Sequence, residues 1–287
     1  MKPDYQKPIE LVFLEVTRYL LEHEDKDKLG PYSSFSVSTE GGGLPRTAPS
    51  WLLDFSRQST SISHDPIMFA ITNRYDSNEV DYGQRSVSFQ SQNRVLAITG
   101  LVLDTIEAVF ELKSDETLLL DQIAESEILT QQALNKEIPL NDPRCCFMRL
   151  KRSTDIFQVF SCQNDKNTLA SSLRQGFELL TSRVERPSGE GTASRHETSL
   201  HWFMDSVLPG IFFFVTNMGF VGLTRASVRK DDTVSLIFGE QVPIVLRSQG
   251  SFYNMLGKAN VSGVMNDEMT GDMYRSGLVE KTTFLIR

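Results

Sequence analysis

From Phe213 to Met265 the chain alternates short apolar runs with single glycines, and this pattern narrows the possible folds more than any other feature of the sequence. The runs are Ile211 to Val215, Val234 to Phe238, Pro243 to Leu246 and Tyr253 to Leu256, and the glycines are Gly219, Gly222, Gly239, Gly250, Gly257 and Gly263. Runs of this length are too short for helices, and glycine supplies the positive-φ turns that tight strand connections need. The spacing predicts a compact β-rich unit over Ile211 to Met265.

Upstream, Ile9, Val12, Phe13, Val16, Leu20 and Leu21 recur at intervals of three and four, with Glu15, Arg18 and Glu22 off the stripe, which predicts an amphipathic first helix. Gly30 and Pro31 end that region, and the Ser- and Gly-rich segment 32–46 reads as a loop leading to Trp51. Pro66 to Ile71, Val87 to Phe89 and Val95 to Val102 are β-prone, with a turn at Ser91 to Asn93, so a long hairpin over 87–102 is expected beside the C-terminal unit. Leu118 to Leu134 returns to helical spacing, and a second helical region follows over Cys145 to Phe160 and Leu169 to Val184, its first half equally able to pair as a strand. Blocks of helix and hairpin without a regular βαβ rhythm predict an α+β fold. Its helical N-terminal and central parts would pack on the antiparallel hairpin region and on the β-rich C-terminal unit. The domain reading is one domain over 1–287, with a helical and hairpin part at 1–208 and the β-rich unit at 209–287.

A formal net charge of −8 opposes a nucleic-acid surface, because phosphate neutralisation calls for clustered Lys and Arg. The basic clusters at 144–152 and 225–230 are interrupted by acidic or apolar residues and read as solvated faces. The first ten residues lack the apolar core of a signal peptide, and no apolar stretch approaches the roughly 20 residues needed to span a bilayer. With three cysteines, Cys145, Cys146 and Cys162, the expected location is cytoplasmic.

Motifs for metal, cofactor or covalent catalysis do not stand out. His196 and His201 are five residues apart, about 140° round a helix, whereas a helical zinc pair needs four. No nucleophile elbow or phosphate loop follows a predicted strand, so no cofactor and no metal are expected. The acidic pairs Asp231-Asp232 and Asp267-Glu268 read as solvated turn residues.

Three ordered fragments of the C-terminal third carry a resemblance: Thr216, Gly219, Phe220, Gly222 and Leu223; then Asp232, Val234, Leu236, Gly239, Pro243, Leu246 and Arg247; then Tyr253, Met255, Gly257, Ala259, Val261, Gly263 and Met265. In this order they resemble the C-terminal region of fungal heterokaryon-incompatibility (HET) proteins. Further similar segments are residues 3–21, the proline-serine-tryptophan segment Pro49 to Ser56 with Phe55 at its aromatic position, and the pattern Gly100, Asp104, Ile106 within Leu96 to Ile106. The sequence departs from the family pattern at Ser262, at Asp231-Asp232 and at Thr224 to Ala226, and it reads as a diverged stand-alone copy lacking the N-terminal HET domain.

The resemblance implies recognition or regulation of heterokaryon incompatibility, with a HET-domain protein as partner. A scaffold without its signalling domain is also open to recruitment into fungal secondary metabolism, as a cofactor-independent cyclase of the pericyclase or Diels-Alderase type acting on an apolar terpenoid or polyketide intermediate. Such chemistry needs only a pocket that preorganises the substrate and donors that polarise a carbonyl. For that expectation the candidate catalytic donors are Tyr253, Arg247 and His201, and the candidate substrate-binding residues are Trp51, Trp202, Phe203, Phe213, Phe252 and Met255, lining an apolar cavity between the central helices and the β unit.

Overall fold

The computed structural model describes residues 7–23, 48–52, 86–91, 94–112, 121–125, 128, 129, 131, 132, 175, 205, 209–238, 240, 242–261, 264 and 267–287. Helix α1 spans Ile9–His23. Strands β1 (Val87–Gln90) and β2 (Val95–Glu111) form the first hairpin. Strands β3 (Phe212–Thr216), β4 (Val221–Thr224), β5 (Thr233–Ile237), β6 (Ile244–Gln249) and β7 (Phe252–Val261) follow, then helix α2 (Asp267–Arg275) and strand β8 (Lys281–Ile286). The structure is therefore an eight-stranded sheet with helices, the mixed α+β composition expected from the sequence. The expected helices at 145–160 and 169–184 and the strand at 66–71 lie outside the described residues, apart from Gln175.

Six of the strands close into a ring. β2 pairs with β3, β3 with β4, β4 with β7, β7 with β6, β6 with β5, and β5 again with β2, every pair antiparallel. Closure leaves no unpaired edge within the ring, so the backbone donors and acceptors of these apolar strands are satisfied without water. β2 makes this possible by its length and its two register shifts, between Val102 and Asp104 and between Ile106 and Ala108. Bulges bend a strand and increase its twist. The first half of β2 accordingly pairs with β1 and β8, and its last third with β3.

Alternation along the strands sorts side chains into two apolar layers. Leu101, Leu103, Ile106, Phe214, Val234, Leu236, Val245, Ala259 and Val261 fill the ring, joined by Val264, Met273 and Val279 from around α2. On the outer face, Leu96, Ile98, Ile237, Ile244, Leu246, Met255, Phe284 and Ile286 form a second cluster with Trp51 and Leu21 of α1. β8 and α2 were not anticipated from sequence. α2 ends in a Schellman cap, in which Gly277 (φ +73°) donates to the Tyr274 carbonyl at 3.0 Å and Leu278 to that of Met273 at 2.9 Å. Asp267-Glu268 thus opens a helix where a turn was expected.

The glycines divide into two roles. Gly219 (φ +83°) and Gly250 (φ +65°) occupy turns as expected. Gly222 lies inside β4 under the ring of Phe214, its cross-strand partner, and a Cβ there would run into that ring. Gly100 has the same kind of role: a Cβ would strike the Leu236 carbonyl and come within 3.0 Å of the Phe284 ring, so β2 can be crossed closely by β5 and β8 only without a side chain.

Candidate functional site

Among the described residues, the expected donors and apolar lining residues fall in different parts of the structure. Arg247 is already committed: its Nε and Nη2 donate to the two carboxylate oxygens of Asp232 at 2.8 Å each, and Nη2 also donates to the Ser227 carbonyl at 2.9 Å. Asp232 is buried and additionally accepts the Arg229 backbone N–H at 2.7 Å, which corrects the reading of this aspartate as a solvated turn residue. The hydrogen bond to Asp232 raises the Arg247 pKa above its ordinary value, outweighing the desolvation that opposes it. A guanidinium held in this fork geometry fastens the loop after β4 to β6.

Trp51 is completely buried and packs its ring 5.6 Å from that of Phe89. Ser50 fixes it there, donating from Oγ to the Arg287 carbonyl and accepting the Met255 N–H at 2.9 Å. Met255 is buried in the same outer cluster, and Tyr253 meets Phe284 edge-on at 5.5 Å beside it. Phe213 is buried elsewhere, against Phe110 at 6.1 Å, and Phe252 is half-buried at the start of β7. Trp51 and Met255 are therefore buried together, and Phe213 apart from them. His201, Trp202 and Phe203 lie outside the described residues.

The residues that carried the family resemblance have structural roles. Asp104 sits at the β2 bulge and accepts the backbone N–H of Met218 at 2.7 Å and of Thr105 at 2.8 Å, while Asn217 donates to the Thr105 hydroxyl at 2.6 Å. The β3–β4 turn is thereby pinned to β2. Thr216 accepts the Phe220 N–H on its hydroxyl at 3.0 Å and closes the turn from within. Gly100 permits the strand crossing, and Asp232 and Arg247, at the two ends of the second fragment, are the ion pair.

Two polar features on the outer face escaped sequence reasoning. Lys258 and Glu240 form an ion pair at 3.4 Å with both side chains largely buried. Ser235 shares a face with Lys258, since each is the register partner of Ile244, and its buried hydroxyl has no hydrogen-bond partner among the described residues. No periodicity marks these residues in a sequence, because strand pairing alone brings them into one row.

Among the described residues the exposed large apolar side chains are Ile128 and, on α1, Ile9, Leu11, Val16 and Tyr19. Phe13, Thr17 and Leu21 are buried; Leu21 and the half-buried Leu14 join the outer cluster, Glu10 pairs with Arg94 at 3.2 Å and Arg18 lies over the Phe89 ring at 5.4 Å. The apolar residues expected on one stripe are thus in part buried and in part exposed. Ile9 is 56% exposed, Val16 39% and Tyr19 55%, with Val12 half-buried among them. At 100° per residue these four fall within about 80° of arc, roughly 120° from the buried side.

Among the described residues no group of three or more His, Cys, Asp or Glu is placed to hold a metal ion, and no helix is long and apolar enough to cross a membrane. No family model matches the chain, and neither a curated protein nor a solved structure matches it.

Proposed function

We propose that this chain is a non-catalytic recognition module in which the closed barrel is the scaffold and the outer stripe of α1 is the surface that meets a protein partner. The observation that carries this reading is the exposure of Ile9, Val16 and Tyr19 on a helix already anchored by its opposite side. Holding a helix rigidly lowers the ordering cost of binding, and an exposed aromatic among aliphatic residues is a typical interface anchor. The resemblance to the C-terminal region of HET proteins supplies the partner class, a HET-domain protein.

The cyclase reading draws on a different observation, that Trp51, Tyr253 and Met255 share one cluster. Its strongest donor, Arg247, is committed to Asp232.

Biolayer interferometry of the immobilised chain against a purified HET-domain protein separates the two. Recognition predicts saturable binding that Val16→Glu weakens by at least about tenfold, since a buried charge without a partner is costly. Equal binding by wild type and variant, or acceleration of a diene-bearing terpenoid that Tyr253→Phe slows, would replace recognition by catalysis.

A further inference from the structure

We draw no further inference here: the strongest candidate, the side-chain cluster of the Lys258–Glu240 ion pair and the Ser235 hydroxyl on the outer face of β5 and β7, carries nothing because Glu240 and Ser235 are closed off from solvent and nothing among the described residues shows what ligand would reach them.

Discussion

Arg247 and Asp232, fifteen residues apart in sequence, hold each other by two parallel hydrogen bonds of 2.8 Å, with the carboxylate almost fully buried. The pair ties the exit of the loop after β4 to the middle of β6. Arg247→Ala leaves the carboxylate without its cation and is expected to destabilise the fold by about 3 kcal/mol. Joint replacement by Arg247→Met and Asp232→Asn should cost clearly less than the sum of the single changes. Chemical denaturation of Arg247→Ala, of the two single changes and of the double variant measures both. Because Arg247 has a raised pKa in the fold, its contribution is complete below the unfolded value and fades only as pH rises through the higher folded one. Between about pH 5 and about pH 9, the Arg247 cation therefore adds no slope to stability.

Gly100→Ala and Gly222→Ala test the two close approaches within the ring. At Gly100 the obstacle is the Leu236 backbone carbonyl, which cannot move without shifting β5, so a loss of about 3 kcal/mol or more is expected. At Gly222 the obstacle is the Phe214 side chain, and a loss nearer ~2 kcal/mol is expected. Thermal unfolding that ranks Gly222→Ala as the more damaging would contradict the strand crossing described.

Ser50 and Trp51 form one latch. Trp51→Ala removes a completely buried indole and should cost about 3–5 kcal/mol. Ser50→Ala removes the acceptor of the Met255 N–H and should cost about 1–2 kcal/mol. If Trp51 lined a substrate pocket instead, its removal would leave stability nearly unchanged, and a melting curve decides between the two.

Ser235→Ala is expected to be neutral or to stabilise by up to about 1 kcal/mol, since it deletes a buried hydroxyl without a hydrogen-bond partner among the described residues. A loss beyond about 1 kcal/mol in urea titration, a bound taken from the same per-group cost, would show that the hydroxyl is satisfied in solution.

Local pattern carried much of the strand content. The alternation of apolar runs and glycines located β3, β5, β6 and β7, and the β-prone run from Val87 to Val102 located the first hairpin. Ring closure was not legible, because it depends on β2 extending to Glu111 through two bulges, and a bulge leaves no mark in composition. β8 was missed because Lys281, Thr282 and Thr283 blur its apolar alternation, although Phe284 and Ile286 are completely buried. The candidate site suffered for a related reason. Aromatic, methionine and arginine residues near the ends of strands resemble a pocket in sequence, and only the register showed Arg247 beside Asp232 and Trp51 beside Phe89. The stripe of α1 was visible as periodicity, but which part of it is buried was a tertiary fact.

Hydroxyl-radical footprinting of the chain, alone and with a purified HET-domain protein, bears most directly on the claim that α1 is the working surface. Tyr19 and Val16 are predicted to lose most of their labelling in the complex, while Phe252 and Tyr253 at the start of β7 keep theirs. Protection of Phe252 and Tyr253 with α1 labelled as in the free chain would contradict it.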